Sequence, residues 1–175
     1  MARTENLLGA LALTLVDHMQ QAEPAGNASP HPSERAALAT LLAHPGHTVS
    51  WLADVLGVTS SGGTRLVERM VARGWISRTT GDDARSRTLM LTRSGRTLAT
   101  RVLAARAAAL DTALAPLSGA QREELERLLE PVVAGLATRR SSALRTCRLC
   151  DRSACSALGQ ECPLDHTLDE DDTHD

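Results

Sequence analysis

The sequence predicts a mainly α-helical chain with one small β-hairpin, and three observations carry that prediction. The apolar fraction, 42%, is supplied almost wholly by Ala, Leu and Val, with no Phe, no Tyr and only Trp51 and Trp75 as large aromatics. Apolar residues recur at helical spacing over most of the chain. One pair of short strand-like runs interrupts that rhythm between residues 75 and 92. At 175 residues, a single core with an appended tail is the expected organisation.

Each element has its own signals. Leu8, Leu11, Leu15 and Met19 set a first helix over residues 4–21, and Glu23-Pro24-Ala25-Gly26-Asn27 reads as the loop after it. Pro32 suits the first position of a second helix and Glu34 its first turn, with Ala37, Leu38, Leu41 and Leu42 as the apolar stripe before Pro45-Gly46. Ser50 is the expected N-cap of a short third helix carrying Leu52, Ala53 and Leu56, and Gly57 suits its exit. Thr59 caps a fourth helix over about residues 60–73, with Leu66, Val67, Met70 and Val71 facing inward. Trp75 to Thr79 and Thr88 to Thr92 suit strands, joined by the polar segment 81–87. Thr92 caps a fifth helix running to about Ala115, and Ser118 with Gln121 forms a capping box for a sixth, within which Pro131 should kink the axis or remove a hydrogen bond.

Net charge is only −2, but it is unevenly spread. Residues 50–101 hold nine Arg against Asp54, Glu68, Asp82 and Asp83, whereas residues 161–175 hold seven acids and no base. All 19 basic residues are Arg, which offers a planar fork of donors to phosphates and guanine edges, although a general compositional bias toward Arg explains the usage equally well. The apolar run from Leu7 to Val16 is a poor secretion signal, since Glu5 spoils the basic start and Thr14 interrupts the run, and no stretch approaches the roughly 18 residues of a membrane span. A cytoplasmic protein is expected, with no membrane partner.

Two short helices joined by Gly57-Val58-Thr59, with small Ala53 permitting a close crossing, make a helix-turn-helix, and a basic hairpin follows directly. In that arrangement the second helix enters the major groove of double-stranded DNA while the hairpin reaches the adjacent backbone or minor groove. From Pro32 to about Arg140 the residues resemble the MarR family of bacterial regulators. The resemblance rests on Leu52-Ala53 through Gly57, on Thr64-Arg65-Leu66-Val67-Glu68-Arg69-Met70 continuing to Arg73-Gly74-Trp75-Ile76, and on Asp83-x-Arg85 followed by Leu89-x-Leu91-Thr92-x-x-Gly95.

The resemblance implies a winged helix-turn-helix domain over residues 32–96, flanked by an N-terminal dimerisation helix at 1–22 and C-terminal dimerisation helices at 97–146. It implies an obligate homodimer, with Arg85 at the wing tip and Asp83 helping to position the wing. A Cys-rich segment at 147–166 and an acidic, disordered tail at 167–175 follow. Family correspondence and helix geometry turn Ser60, Ser61, Thr64 and Arg65 toward DNA, with Arg69 nearer the backbone and Arg87 beside the wing tip. The bland alternative is that Arg65 and Arg69 merely flank Glu68 on a solvated face. Gly62-Gly63 departs from the helix formers usual at these positions and costs roughly 1 kcal/mol per Gly; tolerance at a helix start is preferred over a close approach to base edges. A two-fold dimer would read a pseudo-palindrome with half-sites roughly 10 bp apart, and steric repression is the default mode.

All four cysteines fall in Cys147-x2-Cys150-x4-Cys155-x6-Cys162. In a reducing compartment such clustering favours metal or redox chemistry over structural disulfides. The thiolates could wrap one tetrahedral zinc ion, with His166 as a substitute ligand, and Cys162-Pro163 equally suits an iron–sulfur cluster. Zinc is put slightly ahead; a disordered tail with free or reversibly oxidised thiols and no cofactor stays open. His18, His31, His44 and His47 are read as surface or capping residues rather than a second metal site. The scarcity of aromatics offers no stacking platform for a small aromatic effector, so no particular ligand is expected.

The rival classes are weaker. A thiol-redox protein using Cys147-x2-Cys150 lacks the βαβ setting usual for that pair, and no nucleophile elbow, phosphate-binding Gly loop or H-E-x-x-H pairing is present, so no enzyme is expected. A winged-helix protein-interaction scaffold is the remaining alternative.

Overall fold

The computed structural model describes residues 2–21, 29–80, 87–155 and 157–168. Helices α1 (Arg3–Gln21), α2 (Pro32–Ala43), α3 (Val49–Leu56) and α4 (Ser60–Ala72) lead into an antiparallel hairpin of β1 (Ile76–Thr80) and β2 (Arg87–Leu91). Then come α5 (Arg93–Leu114), α6 (Gly119–Ala134), the short α7 (Arg140–Thr146), the single turn α8 (Arg152–Cys155) and two 3-10 turns at Ala157–Gly159 and Asp165–Thr167. The mainly helical class with one small hairpin holds.

Local chemistry sets most boundaries. Thr59 Oγ1 accepts the Gly62 amide at 3.2 Å and Thr92 Oγ1 accepts that of Gly95 at 3.1 Å, so one of the donors left over at each helix start finds a partner. Ser118 and Gln121 form the expected capping box, and α6 runs on through Pro131. The third helix starts earlier than expected: Thr48, not Ser50, is its N-cap, because Thr48 Oγ1 accepts the Trp51 amide while Ser50 bonds to the Thr48 hydroxyl. The strands are displaced by one residue, and the register pairs Ile76 with Leu91 and Thr80 with Arg87.

The main core gathers Leu38, Leu41, Leu52, Val67, Met70, Trp75, Ile76 and Leu89, so α2, α3, α4 and the hairpin share one apolar centre. Two glycines make the packing possible. A Cβ on Gly63 would sit 2.6 Å from the Ala53 Cβ, so α3 and α4 can cross this closely only with Gly there. Gly63 therefore serves the helix crossing, not a tolerated helix start or an approach to bases. A Cβ on Gly95 would lie 2.0 Å from the Trp75 carbonyl oxygen, itself bonded to the Thr92 amide; this close approach is the physical content of the Thr92-x-x-Gly95 motif.

The two ends of the chain behave differently from this centre. Leu7, Leu8, Leu11 and Leu13 of α1 and Leu128, Leu129 and Val132 of α6 lie exposed in the single chain, Leu13 at 72% and Leu128 at 59%. Residues 140–146, within the segment expected to hold the dimerisation helices, form α7, which packs against α3. Beyond it Leu164 joins Ala137 and Ala143 in a second small core, and Thr167 is fully buried, so the ordered chain extends past the expected start of the tail at 167. Residues 169–175 lie outside the described residues, as do the Glu23 to Asn27 loop and the hairpin tip at 81–86. No helix among the described residues is long and apolar enough to cross a membrane.

Candidate nucleic-acid interface and the cysteine cavity

The α3–α4 turn is built by Gly57, whose φ of 67° is the left-handed conformation that leaves α3, followed by the Thr59 cap. α4 buries Leu66, Val67 and Met70 and turns Ser60, Ser61, Thr64, Arg65, Glu68 and Arg69 outward. The expected recognition residues thus share one exposed face. Thr64 donates its hydroxyl to the Ser60 carbonyl at 3.0 Å, and the Ser61 hydroxyl lies 3.3 Å from that of Thr59. Arg87 is exposed at the turn end of the hairpin, paired with Thr80. Asp83 and Arg85 lie outside the described residues.

Sequence reasoning missed Glu34. Its carboxylate, 2% exposed, accepts the His31 amide at 2.9 Å and Arg73 Nη1 at 3.0 Å, and forms an ion pair with Arg69 Nε at 3.5 Å. Arg73 also lies over the Trp75 ring, 4.9 Å from its centroid. Arg69 is therefore divided between the exposed face and a buried acid, whereas Arg65 lies on the exposed face. A first-turn Glu has an ordinary reading as a helix cap, and only the fold brings residues 69 and 73 to it.

Comparison with known proteins points the same way. The MarR family model matches residues 30–86. Over those residues the chain resembles the MarR family. Among solved structures, the MarR family protein Rv2887 of Mycobacterium tuberculosis in complex with DNA is 25% identical, with a TM-score of 0.61 over 75% of this chain and 98% of that one. A MarR family protein from Bacillus stearothermophilus is 25% identical at a TM-score of 0.64, covering 74% and 89%. Wild-type MarR from E. coli, at 19% identity and a TM-score of 0.61 over 75% and 98%, shares the fold. No curated protein matches the chain. The fold is that of MarR-family transcription regulators.

Outside the residues matched by the family model, the cysteine segment folds back onto the winged-helix domain. Thr40 of α2 donates to the Arg148 carbonyl at 3.2 Å, and Gln160 donates to Glu126 of α6 at 3.0 Å. Arg145 of α7 donates to the Asp54 carbonyl of α3 at 3.3 Å and lies flat against Gly57. Cys147, Cys150, Cys155 and Cys162 line one cavity of about 120 Å³, together with His44, Arg140, Arg152 and Asp165. The expected cysteine set is thus brought together around one space. Among the described residues, no three His, Cys, Asp or Glu side chains are, as placed, already gathered tightly enough to hold an ion.

The thiols differ in character. Cys147 keeps its proton, its pKa pushed up by a side-chain hydrogen bond to Cys150 and by burial. Cys150 is drawn down to about 6 by that bond, against its own burial, with help from the Arg106 and Arg148 charges. Burial pushes the Cys155 thiol up.

The histidines take separate roles. His166, read as a substitute ligand, has both ring nitrogens 3.1 Å from backbone carbonyls, those of Pro163 and Ala137, and is a structural tie. His31 caps α2 at its start and His44 at its end, while His47 stacks on Trp51 at 3.7 Å. His44 nonetheless lines the cysteine cavity, which its sequence position does not reveal; burial first, then Arg152 and Arg140, lowers its pKa to about 4, so its ring is neutral.

Proposed function

We propose that this chain is a homodimeric DNA-binding transcriptional regulator that represses by occupying a pseudo-palindromic operator. The observation that carries the reading is the exposed face of Ser60, Ser61, Thr64 and Arg65 on the second helix of a helix-turn-helix, beside an Arg-bearing hairpin. A structural relative of the same fold, Rv2887, is crystallised with DNA. In this reading Arg65 reads base edges, Arg69 and Arg87 contact backbone, and Arg85, positioned by Asp83, carries the wing. The exposed apolar stripes of α1 and α6 support the homodimer, since faces of that size and composition call for a partner. The protein works in the cytoplasm, and metal or redox state enters through the four-cysteine segment, as bound zinc, an iron–sulfur cluster or oxidised thiols.

Arg65→Ala and Arg85→Ala each abolish operator binding in gel shifts while leaving the circular dichroism spectrum and melting temperature unchanged. Wild-type affinity in either variant contradicts the reading. The Cys147–Cys150 pair, both lining one cavity, favours a second reading, a dithiol that exchanges with other disulfides. Insulin-reductase activity lost in Cys147→Ser, with no salt-dependent DNA binding by the wild type, would favour it instead.

A further inference from the structure

We propose that the four cysteines form a thiolate-ligated metal centre whose occupancy is transmitted to the helix-turn-helix by Arg145. The inference rests on the DNA-binding reading above and names the route by which its signal arrives.

Three observations build the centre. All four thiols face one small cavity, although 15 residues separate the first from the last. Cys147 and Cys150 are held on one tight turn at the end of α7, where the Cys150 amide donates to the Cys147 carbonyl at 2.8 Å, a spacing that suits two ligands of one tetrahedral ion. Four thiolates on a divalent ion leave an excess of two negative charges. Arg140 and Arg152 line the cavity, so the surroundings offset it. The thiol protons leave to solvent as the sulfur–metal bonds form, and no oxidant is required.

The route follows from how the segment is attached. Cys147 is the residue that ends α7, and Arg145 lies two positions before it. The Arg145 guanidinium donates to the Asp54 carbonyl, one of those that also accept the Gly57 amide at the end of α3. A Cβ on Gly57 would come within 3.0 Å of the Arg145 guanidinium carbon, so the contact tracks the helix-turn-helix turn itself. Because the thiols line the walls of the cavity without yet converging, loading must draw Cys155 and Cys162 toward the Cys147–Cys150 pair. That movement sets the end of α7, and with it how firmly Arg145 caps α3. Zinc and an iron–sulfur cluster share this four-thiolate chemistry, and the experiment separates them.

The full chain is purified anaerobically and assayed for metal, inorganic sulfide and visible absorbance, and amide hydrogen exchange is followed over residues 54–62 with and without a strong chelator. The expected result is one centre per chain: colourless with one zinc, or coloured with iron and sulfide. Removing it should speed exchange at Gly57 and Val58 by about tenfold, the scale of one lost charge-assisted hydrogen bond. Cys162→Ser, remote from α3, loses the metal and exchanges like the stripped wild type. Arg145→Ala, a change at an exposed position, keeps the metal but exchanges fast with or without it. A metal-free wild type with four free thiols overturns the centre, and an Arg145→Ala variant that still responds to the chelator overturns the route. If exchange behaves as expected but no duplex is selected from a random DNA library, the DNA-binding reading fails alone.

Discussion

Arg73 places its Nη1 3.0 Å from the buried carboxylate of Glu34, binding the end of α4 to the start of α2. The same carboxylate takes the His31 amide and Arg69, so one acid closes a helix cap and orients the helix proposed to read DNA. Both arginines are about half exposed, so solvent screens the ion pairs and the larger share lies in the hydrogen bonds of a group that is itself buried. Glu34→Gln keeps an acceptor for His31 but loses the charge, and is expected to lower unfolding stability by about 1–2 kcal/mol. Glu34→Ala, which also removes the capping box, should cost about 1 kcal/mol more. Urea unfolding with an unchanged m-value measures both.

The division of Arg69 between that acid and the exposed face predicts an asymmetry on α4. Arg65→Ala should remove DNA binding with little change in stability. Arg69→Ala should weaken binding uniformly across sequences, lower the salt dependence by about one ion, and cost some stability. Titrations at several salt concentrations on a matched and a scrambled duplex distinguish the two, and equal loss of sequence preference in both variants would contradict the assignment.

The adjacent glycines at 62 and 63 should respond oppositely to the same substitution. Gly63→Ala brings two methyl groups to 2.6 Å across the α3–α4 crossing and is expected to destabilise by about 1–3 kcal/mol. At Gly62 the nearest atom to an added Cβ is the Thr59 hydroxyl at 3.1 Å, and the gain in helix propensity of about 1 kcal/mol offsets that crowding. Gly62→Ala should be close to neutral. Ala53→Gly should recover much of the Gly63→Ala loss, a coupling that thermal melts of the double variant read directly.

The uncovered apolar faces of α1 and α6 predict that introducing charge there separates the protomers. Leu13→Glu combined with Leu128→Glu should shift the sedimentation mass toward the 18.6 kDa monomer, and with it weaken operator binding, because a single half-site contact remains. A double variant that sediments as a dimer places the protomer contact elsewhere.

Much of the fold was legible because it is written locally. Thr59, Thr92 and Ser118 announce helix starts through hydroxyls that reach only three residues along the chain. Gly57 announces a turn through a backbone conformation that other residues resist. Where two capping residues compete, local chemistry no longer chooses: Thr48 and Ser50 both suit a cap, and the path of the chain out of α2 selected Thr48.

By itself the sequence determined the winged-helix segment, the exposed face of its second helix and the clustering of four cysteines after the sixth helix, since each depends on periodicity, capping or spacing within a few residues. Only the tertiary structure decided that Gly63 serves the crossing with Ala53, that Glu34 gathers Arg69 and Arg73, that His44 borders the cysteine cavity, and that Arg145 rests on Gly57. Each of these joins residues from 10 to 118 positions apart. No propensity or spacing encodes such a contact; it exists because the shared core of α2, α3, α4 and the hairpin fixes where each surface side chain arrives.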